Sequence, residues 1–320
     1  MNHPPLPDST FAWDQYWRDG RLASCGGEGG ANYQSAIAEG WRRFFGSMAN
    51  GARVLDICTG NGAVARLAGE VASARNLRVT IDAADAAELH PTGLGAGADM
   101  IRFSPRTPAE HLPFPTASFD VVVGQYAIEY TELDRTLAEL HRVSHPRARL
   151  RFVTHAAGSV VVQEAQRQLA DAERLVQTGV FEAAESLARA IGVDQRAANL
   201  GDAKNGFLVA LQALRDAEAT AEDLRMYRNV GSVLVHAIQH QPQIGPGPVL
   251  DKIAETTLAI KAHRGRLDAM CHAALDAPRA RALVASAKHL WGKPFTLDPL
   301  VRSDGALFGW VVESAIGKGE

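Results

Sequence analysis

The chain has few cysteines, few aromatic residues and no excess of charge of either sign. Of its 320 residues three are cysteines (Cys25, Cys58 and Cys271) and 7% are aromatic, and 33 Lys+Arg stand against 36 Asp+Glu for a formal net charge of −3. An odd number of widely spaced cysteines supports neither a disulfide framework nor a cysteine-based zinc site, which predicts a protein of the reducing cytoplasm. Without a basic excess, nucleic acid is a disfavoured partner.

Long hydrophobic runs are absent as well. No stretch of 18 apolar residues occurs, so no membrane span is expected. Residues 1–8 lack the basic and apolar pattern of a signal peptide. The hydrophobic content of 46% is nevertheless enough for one large globular domain or two modest ones.

Short apolar runs alternate with helical stretches in the first half of the chain. The pattern predicts strands at 53–57, 77–82, 119–124 and 150–154, and helices at 63–74 and 134–143. Strands separated by helices are typical of a parallel sheet covered on both faces. A doubly wound α/β core is therefore expected.

Three further segments surround this pattern. Residues 1–48 are aromatic-rich and predict a helical lid, with a glycine-rich loop at 26–30. Residues 159–277 show only helical periodicity, which 241–248 interrupts with prolines and glycines. After a helix at 279–290, segments 294–301 and 307–312 predict a C-terminal β-hairpin. We thus expect a Rossmann-like, mostly parallel sheet formed by 49–158 and 278–320, with 159–277 as an all-helical insertion.

The strand at 53–57 runs into a glycine-containing turn before the next helix. Such a turn lets a ligand approach the backbone and presents the N–H groups of the helix start. The acidic Asp56 precedes the turn, and Ala65 stands where a dinucleotide-binding fingerprint has its third glycine. A carboxylate here repels a pyrophosphate and attracts an ammonium group, which favours a nucleoside that bears an amino acid over NAD.

This stretch resembles the first motif of the class I S-adenosylmethionine-dependent methyltransferases. That motif reads apolar, apolar, acidic, apolar, Gly-x-Gly-x-Gly, and the chain matches it with Asp56, Gly60 and Gly62 but has Cys58 at the first glycine. Asp82, 26 residues after Asp56, matches the carboxylate that binds the ribose, and Asp85 is the competing choice. The stretch 108–115 is similar to the segment that reads the adenine, with Pro108 where the family has an aspartate.

The resemblance implies S-adenosylmethionine as the cofactor and a set of residues that bind it. The cofactor-binding candidates are Asp56, Cys58, Thr59, Gly60, Asn61, Gly62, Asp82, Ala83, Thr107, Ala109 and Gln125. Thr107 or the backbone near Ala109 replaces the missing adenine-binding aspartate.

Methyl transfer from a sulfonium mainly requires that the acceptor's lone pair lies in line with the sulfur–carbon bond, and few catalytic groups are obligatory. A hydroxyl acceptor nevertheless benefits from a general base. The catalytic candidates are Tyr126, Glu129 and His155. The candidates for acceptor binding are Tyr16, Trp17, Tyr33 and Tyr130, with Arg228, His263 and Arg266 from the helical segment. No metal is expected, because His236 and His240 lack an adjacent acidic ligand.

The leading hypothesis is a methyltransferase for a small-molecule substrate. A methyltransferase for tRNA or protein is the second, and a basic surface stripe would favour it. A non-catalytic protein that binds S-adenosylmethionine is the third, motivated by Cys58 and Pro108. The helical segment covers the substrate or, alternatively, forms a homodimer interface.

Overall fold

The computed structural model of the chain describes residues 9–24, 32–33, 35–93, 95–193 and 199–315. The glycine-rich stretch at 26–30, Cys25 and the first eight residues lie outside the described residues.

Apart from β3, the helices and strands follow one another in the order that the sequence pattern predicts. They are α1 (Ser9–Arg18), α2 (Ser35–Phe45), β1 (Arg53–Ile57), α3 (Ala63–Ala74), β2 (Thr80–Ala84), β3 (Ile101–Ser104), β4 (Phe119–Gln125), α4 (Leu133–Val143), β5 (Ser144–Thr154), α5 (Val160–Gln177), α6 (Val180–Val193), α7 (Leu200–Glu218), α8 (Leu224–Ile244), α9 (Pro246–Ala273), α10 (Ala277–Trp291), β6 (Phe295–Val301) and β7 (Leu307–Ser314). Short 3-10 turns at Ala98–Met100 and Ile128–Tyr130 precede β3 and follow β4.

Seven strands form one sheet in the order β3-β2-β1-β4-β5-β7-β6. The first five of these are parallel to their neighbours, while β7 is antiparallel to both β5 and β6. The expected Rossmann-like sheet and its C-terminal hairpin are therefore confirmed.

Side chains alternate between the two faces of this sheet, so that each strand contributes to two cores. Val54 and Val123 face α2 and α3, where Trp41 and Leu67 are buried. Leu55, Val122 and Phe152 face α4 and α10. Because both faces are covered, ligands can reach the sheet only at its edges or at the ends of its strands.

The sequence pattern was wrong at the second and third strands. β2 comprises Thr80–Ala84 instead of 77–82, and Ile101–Ser104 forms a strand that the pattern did not reveal. No helix connects β2 to β3, since the segment between them contains only the 3-10 turn at Ala98–Met100. A four-residue strand gives only a weak periodic signal.

The chain divides into two compact units, residues 1–163 with 269–320 and residues 164–268. The second unit is all-helical and has its own apolar core, in which the fully buried Tyr227 donates a hydrogen bond to the carbonyl of Asp171 at 2.8 Å. Across the described ranges, no helix is both long and apolar enough to cross a bilayer.

Candidate functional site

Polar side chains gather at the carboxyl ends of β1, β2, β4 and β5. In chain order the sheet is built outward from β1, to β2 and β3 on one side and to β4 and β5 on the other. The order reverses between β1 and β4, and crevices at such switch points are where open α/β sheets bind ligands.

The carboxylate of Asp56, near the end of β1, stabilises the turn between β1 and α3. Asp56 is 1% exposed, and its Oδ2 accepts hydrogen bonds from Thr59 Oγ1 at 2.6 Å and from the backbone N–H of Ala65 at 3.1 Å. Since the N-cap residue Gly62 has no side chain to offer, Asp56 satisfies an N–H of the first helical turn instead. Its other oxygen, Oδ1, has no hydrogen-bond partner among the described residues.

Backbone conformation explains the glycines of this turn. Gly60 and Gly62 have φ of +55° and +89°, the region that suits glycine. A Cβ on Gly60 would lie 2.4 Å from the Trp17 ring, and one on Gly62 would lie 2.7 Å from the Phe103 ring. Cys58 also has a positive φ, +48°, at a position where any side chain is strained.

Asp82 and Asp85 lie in different surroundings. Asp82, in the middle of β2, pairs with Arg53 at 3.2 Å. Asp85 follows the carboxyl end of β2, and its two oxygens accept the backbone N–H groups of Gly60 and Ala87, each at 2.8 Å. Of these two carboxylates, Asp85 is the one that contacts the glycine turn.

Burial changes the acidity of this group of side chains. Withdrawal from water raises the pKa of Asp56 to about 7 and that of Asp85 to about 6. Burial, with the surrounding carboxylates of Asp85, Glu110, Glu129 and Asp56, also raises the pKa of the Cys58 thiol well above its usual value. The turn thus lies in an acidic region that favours a cationic ligand.

A second group of side chains lies at the ends of β4 and β5. Nδ1 of His155 lies 2.8 Å from Glu129 Oε1, and both side chains are almost completely buried. The Tyr126 ring stacks on the imidazole with centroids 4.0 Å apart, and the Tyr130 hydroxyl lies 3.5 Å from Nδ1. The three catalytic candidates, together with Tyr130, are therefore brought together.

Residues 55–152 match a family model described as "Methyltransferase domain". The match runs from β1 to β5 and so contains the glycine turn, the switch point and the order of parallel strands around it. This part of the chain is therefore similar to a methyltransferase domain. No curated protein sequence matches the chain.

Solved structures similar to this chain include several methyltransferases. A SAM-dependent methyltransferase from Aquifex aeolicus is 18% identical over 38% of this chain and 64% of its own, with a TM-score of 0.31. An S-adenosylmethionine-dependent methyltransferase from Mesorhizobium loti is 23% identical over 38% and 56%, with a TM-score of 0.30. The CMeT domain of the citrinin polyketide synthase is 11% identical over 85% and 49%, with a TM-score of 0.39. The alignment spans less than two thirds of the length of each.

Helix α1 lies over the glycine turn. Asn61 Nδ2 donates to the carbonyls of Trp17 at 2.9 Å and Arg21 at 2.8 Å. Tyr16 donates its hydroxyl hydrogen to the carbonyl of Ala23, and Tyr33 is buried with its hydroxyl 3.3 Å from Ser24 Oγ. The N-terminal candidates thus pack around the turn and within their own segment.

Only some of the remaining cofactor candidates lie close to the glycine turn. The backbone N–H of Thr107 donates to the carbonyl of Asp85 at 2.7 Å, so this residue lies next to the glycine turn. Ala83 and Ala109 are buried in the two cores. Gln125 accepts a hydrogen bond from Trp41 Nε1 on the α2 face of the sheet.

The three candidates from the helical segment belong to the other compact unit. Arg228 pairs with Glu218 at 2.7 Å and is largely exposed. Arg266 Nη2 lies 3.2 Å from His263 Nδ1, and Arg266 is 8% exposed. In the part of the chain that the structure describes, no three His, Cys, Asp or Glu residues form a group that could hold a metal.

The sequence analysis did not identify several residues that lie around the glycine turn. Trp13 stacks on Trp17 and meets the Tyr130 ring edge-on at 5.7 Å. Phe103 comes from the unrecognised strand β3. The alternation Ile101, Arg102, Phe103, Ser104 is the one signal that could have revealed it.

Proposed function

We propose that the protein binds S-adenosylmethionine at the glycine turn and transfers its methyl group to a small molecule. The observation that carries this proposal is the turn itself, at the switch point of a sheet with the methyltransferase strand order, inside the stretch that matches the methyltransferase domain. When bound, S-adenosylmethionine supplies a methyl group already activated by a sulfonium.

The residues of the turn suit this ligand. Gly60 and Gly62 have no Cβ, so the aromatic rings of Trp17 and Phe103 pack directly on the backbone where a ligand would approach it. The unpartnered Oδ1 of Asp56 offers a buried carboxylate oxygen, which an ammonium group satisfies better than water can. We assign the amino-acid part of the ligand to Asp56 and the backbone of residues 58–62.

We assign the ribose to Asp85 and not to Asp82. Asp85 contacts the turn and Thr107, whereas the Asp82 carboxylate forms an ion pair with Arg53 of the neighbouring strand β1. A carboxylate that already accepts two N–H groups retains lone pairs for ribose hydroxyls. Thr107 and the backbone at Ala109 remain the proposed contacts of the adenine.

A small-molecule acceptor is supported by the charge of the site. Four carboxylates surround Cys58, and an acidic region of this kind disfavours a polyanion such as RNA. Aromatic side chains from α1 and from the segment after β4 (Trp13, Trp17, Tyr126 and Tyr130) supply the apolar walls that small acceptors need. That Arg228, His263 and Arg266 contact the acceptor stays a prediction from the sequence.

The test is methyl transfer from S-adenosylmethionine labelled in the methyl group. A small-metabolite extract, bulk RNA and bulk protein are offered separately at a low concentration of S-adenosylmethionine, with Asp85→Asn as the control that binds the cofactor more weakly. Label in the small-molecule fraction, reduced with the variant, is the expected result. Label in RNA or protein favours the macromolecular alternative. Tight cofactor binding with no label in any fraction favours the non-catalytic one.

A further inference from the structure

A cavity of about 650 Å³ lies on the α2 face of the sheet. Residues of α2, β5, β6 and β7 line it, and none of the residues proposed for the cofactor is among them. Its volume is within the range of small-molecule sites, about 300–1,000 Å³. The side chains that line it therefore indicate what it can bind.

Two arginines of β5 line this cavity from inside the sheet. Arg149 and Arg151 alternate along the strand and share one face, while Leu150 and Phe152 on the other face are completely buried. Because β5 lies between β4 and β7, apolar side chains are expected on both of its faces. The side chains of Arg149 and Arg151 are nevertheless only 18% and 13% exposed.

The two guanidinium groups share one carboxylate. Glu313 lies opposite Arg151 in the β5–β7 pair, forms an ion pair with it, and lies 3.5 Å from Arg149 Nη2. In the described ranges, the Nε of each arginine is buried without a hydrogen-bond partner. Buried ion pairs are often no more stable than apolar side chains of similar volume. The surplus positive charge is thus a cost to the fold that a bound anion offsets.

A third guanidinium and a second carboxylate complete the charged lining of the cavity. Arg43 of α2 and Asp298 of β6 both line it and are exposed. Three guanidinium groups therefore stand against two carboxylates, which gives the lining a net charge of +1. A positively charged cleft favours an anionic ligand.

The acidity of neighbouring groups is consistent with this positive charge. Burial lowers the pKa of Arg149, the Glu313 carboxylate opposes this shift, and Arg151 adds to it. Burial, together with the charge of Arg149, also lowers the pKa of Lys293 to about 8. An oxyanion bound beside Arg149 would stabilise the charged form of both groups.

The guanidinium of Arg151 keeps donors available for a ligand. The hydrogen bonds that Arg151 makes to described residues involve Nη1 alone, and its Nη2 lies beside Gly40, another lining residue. A Cβ on Gly40 would lie 3.0 Å from that Nη2. Glycine inside a helix is less stable than alanine, so Gly40 keeps space beside the guanidinium at a cost to α2.

Apolar side chains make up much of the remaining lining. The Phe44 ring centroid lies 4.3 Å from Cζ of Arg149, and Pro299, Leu300 and Val311 line the side formed by β6 and β7. Small-molecule sites combine apolar walls of this kind with a few convergent polar groups. The lining suits an organic anion better than an inorganic one.

We propose that this cavity is a second binding site, for a small organic anion that carries a carboxylate or a phosphate on an apolar body. Arg43, Arg149 and Arg151 bind the oxyanion, because the planar fork of guanidinium donors matches carboxylate and phosphate oxygens. The apolar body contacts Leu300 and Val311. This assignment does not depend on the proposed methyl transfer.

The test is calorimetric titration of the intact protein at low salt with phenyl phosphate and with benzoate. Inorganic phosphate is the matched probe without an apolar body, and benzamide is the matched probe without a charge. We expect saturable binding of phenyl phosphate, benzoate or both, weaker binding of inorganic phosphate, and no binding of benzamide. The tighter of the two organic anions identifies the natural ligand as a phosphate ester or a carboxylate.

Matched variants assign this binding to the cavity. Arg43→Gln should weaken it about tenfold or more, the effect of losing one charge-assisted hydrogen bond. Arg151→Lys keeps a charge beside Glu313 but loses the fork, and it should weaken binding similarly. The control is Arg42→Gln, because Arg42 is also exposed on α2 but pairs with Glu70 and does not line the cavity. It should leave the affinity within about twofold.

Thermal unfolding checks that each variant is folded, and Arg43→Gln decides the test even if Arg151→Lys is unstable, because Arg43 is exposed. Absence of binding by both organic anions at millimolar concentration would overturn the proposal. So would equal affinities for benzoate and benzamide, or for phenyl phosphate and inorganic phosphate. An equal loss in Arg42→Gln and Arg43→Gln would assign the binding to diffuse surface charge and contradict a site in the cavity.

Discussion

At the scale of single residues, two buried carboxyls beside the glycine turn govern the response to pH. Burial raises the pKa of Asp56 from 3.8 to about 7 and that of Asp85 to about 6. Between pH 4 and 7 the folded protein therefore binds more protons than the unfolded chain does. Stability that these groups contribute at low pH is lost as the pH rises through their folded-state values.

The first prediction concerns the free energy of unfolding in urea, measured without ligand between pH 4 and 8. A shift of the size found for Asp56 corresponds to about 4 kcal/mol of stability lost across this window. Asp56→Asn should flatten the decline, since the amide does not ionise, whereas Asp82→Asn should retain it. Equal slopes for wild type and Asp56→Asn would show that Asp56 does not titrate in this range.

The second prediction separates the two carboxylates of the β2 segment. Asp85→Asn should weaken the binding of S-adenosylhomocysteine about tenfold or more, because hydrogen bonds to a charged group are worth about 1.5–3 kcal/mol. Asp82→Asn should leave the affinity within about twofold and should lower stability instead, since it removes the pair with Arg53. Calorimetry and thermal unfolding measure the two effects. The reverse pattern would assign the ribose to Asp82.

At the scale of elements, contacts along the length of α1 hold this helix over the switch point. Asp14 accepts hydrogen bonds from Arg106 and from the backbone N–H of Glu88, Trp13 meets Tyr130, and the Trp17 ring lies on Gly60. The ring thus covers the part of the turn where a ligand would approach the backbone. Ligand binding there should displace it.

The third prediction uses this ring as a reporter. Of the five tryptophans in the chain, Trp17 should dominate a change in fluorescence when S-adenosylhomocysteine is added. Trp17→Phe should remove most of the change, and Trp291→Phe should retain it, since Trp291 lies in α10 and donates to Ser144. A signal that survives in Trp17→Phe would mean that α1 stays in place during binding.

The elements differ in how well the sequence predicted them. β1 and α3 have the predicted bounds because a short segment with Val54, Leu55 and Ile57 favours a strand and the uninterrupted stretch that follows the turn favours a helix. β2 begins three residues later than predicted, since pairing with β1 starts at Arg53 and Thr80 and excludes residues 77–79. Register depends on a partner strand, which local pattern does not contain.

The sequence predicted those site residues that belong to one short motif, but not the contacts between residues far apart in the chain. Asp56, Gly60 and Gly62 could be identified because turn chemistry imposes glycine and an acidic cap within one short segment. The choice of Asp85 over Asp82 required the contact with Gly60, made across 25 residues of chain. The contact between His155 and Glu129, 26 residues apart, likewise arises from neighbouring strand ends.

At the scale of the whole molecule, the residues proposed for the cofactor all belong to one compact unit. Asp56, Asp85 and Thr107 lie in the unit formed by residues 1–163 and 269–320, whereas Arg228 and His263 lie in residues 164–268. Substitutions within the first unit alone can therefore test cofactor binding. Homodimerisation through the helical segment stays a prediction, which light scattering of the intact chain tests.

The measurement that addresses the central claim is calorimetric titration of the intact protein with S-adenosylhomocysteine, with NAD as the control ligand. The glycine turn, the carboxylate of Asp56 and the methyltransferase strand order predict saturable binding of S-adenosylhomocysteine and no binding of NAD. Folded protein without copurified nucleoside that binds NAD, or that binds neither ligand, would contradict the assignment of this site to S-adenosylmethionine.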